Sequence, residues 1–261
     1  MGREIILNLF RWIGIYAIRF FEETGRMMIL FAQTLGWTFR PPLQGREILK
    51  QMEEVGVRSF PVVVITAAFT GMVLALQSFT GFKRFNAESM VGSVVALSVT
   101  RELGPVLTGL MVSGRVGSAM AAELGTMRVT EQIDALYTLA TNPIKYLIVP
   151  RFLAAMIMLP ILVIFADVIG IFGGYLVSVK LLGTNPTLYA RRTWDYLEFN
   201  DVYTGLLKAV FFGIILATIS CYEGFSAKGG AEGVGRATTR AVVLSSVSIL
   251  ISNYFITAFL F

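Results

Sequence analysis

Long runs without a charged residue restrict this chain to a membrane-spanning fold. Residues 59–82 and 241–261 carry no charge, residues 152–179 carry only Asp167, and residues 209–222 are again uncharged. A helix that crosses the hydrocarbon core needs about 20 predominantly apolar residues, which the 209–222 run reaches only with its preceding turns. Charged residues make up 15% of the chain, against about 25% in soluble domains. The sequence therefore predicts an all-α integral membrane protein.

A fifth span is interrupted by charge. Residues 89–100 and 103–114 are apolar, and each run is too short to cross a membrane alone. Joined, they form one span with Arg101 and Glu102 near its middle. We expect one long helix that bends near Gly104-Pro105, because proline removes a helical hydrogen bond.

The first 58 residues differ from the five-span remainder, residues 59–261. Arg11 and Arg19 interrupt the apolar run 5–21, a pattern typical of a helix lying in the membrane interface. Residues 27–39 are apolar but too short to span, which leaves a re-entrant and an interfacial segment as alternatives. Pro41-Pro42 should end this region.

The distribution of basic residues predicts the orientation. Fifteen Lys and Arg residues lie in the segments on one side of the five spans, and six lie on the other. Cytoplasmic segments of membrane proteins carry the excess of basic residues. We therefore expect a cytoplasmic N-terminus and a periplasmic C-terminus.

Small residues recur every four positions in the second span and its continuation. This spacing lets helix backbones approach closely in lipid, either inside one subunit or between subunits. One row contains Gly109, Ser113, Gly117 and Ala121, a second contains Gly114, Ser118 and Ala122, and the third span adds Gly170 and Gly174.

Charges inside spans are candidates for function. Each costs about 2.5–3.5 kcal/mol at mid-membrane on insertion scales, so it usually faces protein or a wet cavity. Arg101 and Glu102 point about 100° apart on a helix, so another element must contact them. Satisfaction by packing partners and a polar cavity are both open, and for Asp167 we favour packing partners. Lys208 is a cavity candidate or a side chain that snorkels to the interface.

An amphipathic helix is predicted at about residues 130–141. Thr130 is a suitable N-cap, and Glu131 and Asp134 then fall in the first turn, where acids favour the helix dipole. Thr141-Asn142-Pro143 should end the helix. Such a helix either lies on the bilayer or docks a cytoplasmic partner. Its apolar face would hold Ile133, Leu136, Tyr137 and Ala140.

The residue types present disfavour an enzyme. The chain has no histidine, and its one cysteine, Cys221, lies in an apolar run. We therefore predict no catalytic residue and no metal site, as a lipid-modifying enzyme would require. Basic residues that flank spans indicate topology and no nucleic-acid partner. An ion-coupled secondary transporter or channel that uses the intramembrane charges is the alternative function.

Three motifs resemble one known family. They are RELGPVLTGLMVSGRVGSAMAAELGTMRVTEQIDAL at 101–136, GVGRATTRAVV at 233–243 and GMVLALQ at 71–77. They are similar to motifs of the MlaE/YrbE permeases, the membrane subunits of ABC transporters that work with MCE proteins. The length and five-span layout extend the resemblance to nearly the whole chain.

The resemblance implies a function and a set of partners. Such permeases form homodimers in the bacterial inner membrane and move phospholipid between that membrane and the envelope or outer membrane. They pair with a cytoplasmic ABC ATPase, often with a STAS-domain protein, and with an MCE-domain protein on the periplasmic side. No phosphate-binding G-x-x-x-x-G-K-[ST] motif occurs here. We therefore expect no cofactor in this chain, with ATP and Mg bound by the ATPase.

The resemblance also implies two groups of site residues. A cytoplasmic coupling helix would contact the ATPase through Arg128, Glu131, Gln132, Ile133, Asp134 and Leu136. A lipid pathway between the subunits would be lined by Leu74, Gln77, Ser78, Phe82, Phe85 and Leu103. Because they are charges inside spans, we expect Arg101, Glu102 and Lys208 to be its polar members.

Overall fold

A computed structural model describes residues 2–260, apart from the side chains of residues 3–11, 13, 16, 19 and 20. The predicted roles of Arg11 and Arg19 therefore lie outside the described residues. Every regular element in the described part is a helix. The helices are α1 (Gly2–Thr38), α2 (Gly45–Lys83), α3 (Glu88–Val129), α4 (Gln132–Thr138), α5 (Ile144–Leu181), α6 (Pro186–Tyr196), α7 (Phe199–Phe225) and α8 (Gly230–Leu260).

Five of these helices, α2, α3, α5, α7 and α8, are long and apolar enough to cross a membrane. This confirms the prediction of an all-α membrane protein with five spans. The loops that carry α4 and α6 lie at opposite ends of the bundle, because α4 precedes the spanning helix α5 and α6 follows it.

The N-terminal region is one helix rather than two segments. Helix α1 runs without a break from Gly2 to Thr38 and ends before Pro41-Pro42. It packs on α5 through Phe31, whose ring centroid lies 6.0 Å from that of Phe152. The interfacial location of this helix stays a prediction.

The bundle is centred on α5, which packs closely on α2 and α7. The contact with α2 is made by backbone, because a Cβ added at Gly71 would overlap the carbonyl of Gly170. One added at Gly213 of α7 would lie 2.6 Å from the Ala155 carbonyl oxygen of α5. Such close approach of small residues maximises van der Waals contact where lipid removes the hydrophobic driving force.

The two predicted rows of small residues in α3 have different surroundings. The row Gly109, Ser113, Gly117 and Ala121 is buried. A Cβ on Gly109 would lie 3.4 Å from Phe212 of α7. In the other row, Gly114 is exposed and has no atom near its missing Cβ. In α5, Gly170 and Gly174 face Val99 and Val95 of α3. One row therefore packs inside the chain, and the other is exposed at Gly114 and half-buried at Ser118 and Ala122.

Helix α6 occupies a segment for which no helix was predicted from the sequence. Asn185 caps it by accepting hydrogen bonds from the backbone N–H groups of Thr187 and Leu188 at 3.0 and 3.3 Å. Tyr189 is buried against α3, and burial raises the pKa of its hydroxyl to about 12. Trp194 is 76% exposed. Helix α6 thus has one packed face and one open face.

Candidate functional site

An ion pair links the charged part of α3 to α7. The Nζ of Lys208 lies 2.6 Å from Oε1 of Glu102, and Lys208 is fully buried. Two polar side chains of α8 also donate to this carboxylate, Asn253 to Oε2 at 2.8 Å and Thr257 to Oε1 at 3.0 Å. Glu102 therefore connects three spans.

Arg101 pairs with a different carboxylate. Its Nε and Nη2 lie 2.7 and 2.6 Å from Oδ1 of Asp201, which is 1% exposed. The other oxygen of Asp201 accepts from the backbone N–H of Glu198 and caps α7. Asp201 is in the first turn of α7, at the α6 end of the bundle. Arg101 and Glu102 therefore lie toward that end of α3, and not near its middle, where they were predicted.

A proline explains a second contact of Lys208. Pro105 has no N–H to donate to the carbonyl four residues earlier, which belongs to Arg101. Lys208 Nζ donates to that carbonyl at 2.8 Å. The α-helical pattern of α3 also changes to π-helix over Val99–Leu103, just before the predicted bend at Gly104-Pro105. Lys208 is thus held inward by two acceptors on α3, and it neither snorkels to the interface nor faces an open cavity.

The cluster is open on one side. The side chains of Arg101 and Glu102 are 36% and 37% exposed, whereas Lys208 and Asp201 are enclosed. Breaking a buried pair by removing one partner leaves an uncompensated charge, which is strongly destabilising. The enclosed partners therefore hold the geometry, and the two α3 side chains form the exposed side of the cluster.

Asp167 lacks the packing partner that the sequence analysis favoured. It is 7% exposed, yet its Oδ1 has no hydrogen-bond partner and the carboxylate forms no ion pair with a described residue. The residue of α3 that it meets is Gly104, which has no side chain to donate. That expectation was wrong. Asp167 borders a cleft of about 500 Å³ between α5, α6 and α7 whose other walls are mainly apolar, among them Phe172, Tyr175 and Trp194.

The predicted lipid-pathway side chains do not share one cavity in the single chain. Leu103 lines a narrow groove between α2 and α3 of about 10 Å³, room for roughly one water. Leu74 and Phe82 pack against the buried Val91 and Val95 cluster. The remaining three differ in exposure: Gln77 and Phe85 are exposed, and Ser78 is half-buried. A pocket between two subunits stays a prediction.

The predicted coupling helix is shorter than expected and has a different cap. Thr130 still belongs to the end of α3, because its hydroxyl donates to the Thr126 carbonyl at 2.7 Å. The prediction of Thr130 as N-cap was therefore wrong. Glu131 precedes α4 with φ of 61°, and α4 ends at Thr138. Arg128 and Asp134 form an ion pair of 2.6 Å across this turn.

Helix α4 is attached to the bundle by one side. Ile133 is fully buried in a cluster with Leu124, Leu147 and Cys221, and Leu136 packs against the same cluster. The exposed side chains of the predicted helix include Glu131, Gln132, Asp134 and Tyr137. Tyr137 was predicted on the apolar face but is 57% exposed. A force applied to α4 would act directly on α3, α5 and α7 through Ile133.

Three partners of the charged cluster were missed by sequence reasoning: Asp201, Asn253 and Thr257. The signal that could have found two of them is the i, i+4 spacing of Asn253 and Thr257 in an uncharged span, which places both on one face. The part of the chain that the structure describes contains no group of three His, Cys, Asp or Glu side chains that could hold a metal ion.

Comparisons with known proteins agree with this architecture. The family described as Permease MlaE matches residues 48–259. A probable ABC transporter permease protein of Rickettsia typhi is 52% identical over 98% of this chain and 99% of its own length. The intermembrane phospholipid transport system permease protein MlaE of Haemophilus influenzae is 37% identical over 98% and 99%. A chloroplast protein of Arabidopsis thaliana, TRIGALACTOSYLDIACYLGLYCEROL 1, is 37% identical over 89% of this chain and 67% of its own length.

Proposed function

Because this chain belongs to the MlaE permease family, we propose that it is the permease subunit of an ABC transporter that moves phospholipids between the inner membrane and the cell envelope. The observation that carries the proposal is the near full-length similarity to a permease named for intermembrane phospholipid transport. A separate ATPase would supply the energy, since this sequence has no phosphate-binding loop.

The charged cluster supports a role in headgroup contact. Arg101 is the partly exposed cation of the cluster, and a guanidinium binds phosphate oxygens in a bidentate manner. A lipid phosphate at Arg101 would compete with Asp201 for the same donors. Such competition would loosen the link between α3 and the first turn of α7. In this proposal the cluster both receives the headgroup and reports its arrival to a neighbouring span.

Helix α4 supports coupling to an ATPase. Its buried Ile133 and its exposed Tyr137 lie on one short helix, so a partner bound at the open side would move the bundle through the anchored side. The proposed contacts are Arg128, Glu131, Gln132 and Asp134, beside the apolar Ile133 and Leu136. This assignment places α4, and with it the N-terminus, in the cytoplasm.

The proposal includes a second copy of the chain. The row of Gly114, Ser118 and Ala122 lies along the surface of α3, exposed at Gly114 and half-buried at the other two, and it suits close helix packing between subunits. The lipid pathway would then form between the two copies, beside Gln77, Phe85 and Leu103. A periplasmic MCE-domain protein would receive or deliver the lipid, and a STAS-domain protein would accompany the ATPase.

Purification from the native membrane tests this proposal. The tagged chain is extracted in mild detergent, and co-purifying proteins and lipids are identified by mass spectrometry. An ABC ATPase, an MCE-domain protein and retained phospholipid are expected. A chain that purifies alone under several gentle extractions would remove the transporter assignment and leave an ion-coupled mechanism, which the unpartnered Asp167 would favour.

A further inference from the structure

A second charged site lies far from the Arg101 cluster, at the α4 end of the bundle. A cleft of about 490 Å³ opens there between α1, α3, α7 and α8. Seven of its lining residues carry a formal charge. The cations are Arg26, Arg128, Lys228, Arg236 and Arg240, and the acids are Glu23 and Glu223. We refer to this cleft, with its seven charged side chains, as the basic cleft.

The start of α8 builds one wall of the basic cleft. Gly233, Arg236, Ala237 and Arg240 all line it, and their i, i+3, i+4 and i+7 spacing places them on one face of the helix. These residues belong to the GVGRATTRAVV motif, for which the charged cluster and α4 offer no role. The N-terminal turn of α8 adds a positive helix end to the same wall.

The loop between α7 and α8 brings Lys228 to that wall. Gly229 and Gly230 have φ of 88° and 65°, which turns the chain sharply after α7. The carbonyl of Lys228 then packs on Gly233 so closely that a Cβ at Gly233 would overlap it. The backbone of Lys228 is therefore fixed over the first turn of α8, and the residue is exposed.

Three of the five cations are held in ion pairs. Arg26, Arg128 and Arg236 pair with acids that do not line the cleft, Glu22, Asp134 and Glu232. Lys228 and Arg240 form no ion pair with any described residue. Glu223 interacts electrostatically with Arg240 and partly offsets it, and Glu23 lies near Glu223. The lining itself holds five cations against two acids. The side-chain nitrogens of Lys228 and Arg240 have no hydrogen-bond acceptor among the described residues, so they can donate to an anion from outside the chain.

The depth of the basic cleft indicates where that anion comes from. Arg240 is the last charge before the uncharged part of α8, and Glu223 directly follows the uncharged part of α7. The cleft thus lies where two apolar spans end, at the level of lipid headgroups. Tyr222 and Phe225 border it beside the cations, as suits a ligand with a charged head and an apolar body.

We propose that the basic cleft binds the headgroup of an anionic membrane phospholipid, with its phosphate oxygens accepting hydrogen bonds from Lys228 and Arg240. Basic pockets between spans on the cytoplasmic side bind anionic headgroups by this chemistry. The site does not rest on the proposed transport function, because it would bind lipid in the permease alone, without ATP or an ATPase.

Native mass spectrometry of the full-length chain in detergent tests the site. Phosphatidylglycerol and phosphatidylcholine with identical acyl chains are titrated separately, so that only the headgroup differs. The wild type should bind phosphatidylglycerol more tightly, and the double variant Lys228→Gln/Arg240→Gln should lose about tenfold in apparent affinity. Arg46→Gln is the control, since Arg46 is an exposed cation without an ion pair and lies outside the cleft.

Four results would overturn the proposal. Equal affinity for the two lipids, or an equal loss in the Arg46→Gln control, would remove headgroup recognition at this site. Displacement of phosphatidylglycerol by inorganic phosphate at low concentration would assign the cleft to a free anion. Unchanged lipid binding in the double variant together with loss of the co-purifying ATPase would assign it to protein contact. Circular dichroism of the double variant should match the wild type, and Lys228→Gln alone should lose part of the affinity.

Discussion

Lys208 and Glu102 form an ion pair of 2.6 Å that joins α7 to α3, and the lysine has no exposed surface. The same ammonium donates to the Arg101 carbonyl, which Pro105 cannot reach with a backbone N–H. The pair therefore compensates both an intramembrane charge and a helix defect. The ion pair is a contact shared by α3 and α7, and its loss would also affect the neighbouring Arg101.

The first prediction concerns the stability of this pair. Glu102→Leu leaves Lys208 buried without its counter-charge and should lower the free energy of unfolding by about 3 kcal/mol, the lower end of the range for breaking a buried pair. The double variant Glu102→Leu/Lys208→Leu should recover part of this loss because no isolated charge remains. Thermal unfolding in detergent measures both. A double variant no more stable than Glu102→Leu alone would contradict the pairing.

A second prediction concerns transport. Glu102→Gln keeps a side chain that can accept a hydrogen bond but removes the charge that holds Lys208. Lipid transfer should fall by about tenfold, which corresponds to roughly 1.4 kcal/mol. Co-purification of the partner chains should be unchanged, because the cluster is remote from α4. Wild-type transfer by this variant would remove the cluster from the mechanism.

A third prediction compares two glycines in different surroundings. Gly71→Ala places a methyl group against the Gly170 backbone, which cannot yield as a side chain would. It should cost more than the roughly 1–3 kcal/mol of ordinary overpacking. Gly114→Ala meets no atom of the same chain and should leave the thermal unfolding of the monomer unchanged. Equal melting temperatures for the two variants would refute the backbone contact.

A fourth prediction concerns α4. Glu131→Lys reverses a charge on the open side of this helix without touching the buried Ile133. The variant should fold normally but bind the ATPase more weakly, or hydrolyse ATP without lipid stimulation. Lys180→Glu is a matched charge reversal on an exposed residue at the other end of the bundle. Normal lipid-stimulated hydrolysis in Glu131→Lys would count against coupling through α4.

A fifth prediction separates two buried aspartates. Asp201→Asn weakens the pair with Arg101 and the cap of α7, so it should lower the melting temperature. Asp167 has no such partner, so Asp167→Asn should leave the melting temperature unchanged or raise it. The two variants are compared by thermal unfolding in the same detergent. A larger loss for Asp167→Asn would contradict the finding that Asp167 has no hydrogen-bond partner among the described residues.

The spans could be predicted because their signal is local. Runs of sufficient length with at most one charge occur at 59–82, 152–179 and 241–261. The first two lie within helices of the structure, and the described part of the third, residues 241–260, lies within another. A bend near Gly104-Pro105 is predicted because proline removes a hydrogen bond at a known position. The structure has a π-helical segment directly before Gly104. These features depend on neighbours in the chain, which the sequence displays directly.

The partners of the charges could not be predicted because they are distant in the chain. Arg101 meets a residue 100 positions later, and Glu102 meets Asn253 at a separation of 151. Periodicity places a residue on a face but does not say which helix that face meets. For the same reason Asp167 was expected to have a partner, although the residue opposite is Gly104.

The most direct test of the proposed function is ATP-driven lipid transfer by the complex purified from its native membrane. The complex is reconstituted into vesicles with a fluorescent phospholipid, and transfer to acceptor vesicles is followed with ATP and with a non-hydrolysable analogue. We predict transfer that requires hydrolysis and decreases in the Glu102→Gln variant. Transfer that proceeds equally with the analogue, or ATP-independent ion flux without lipid movement, would contradict the account.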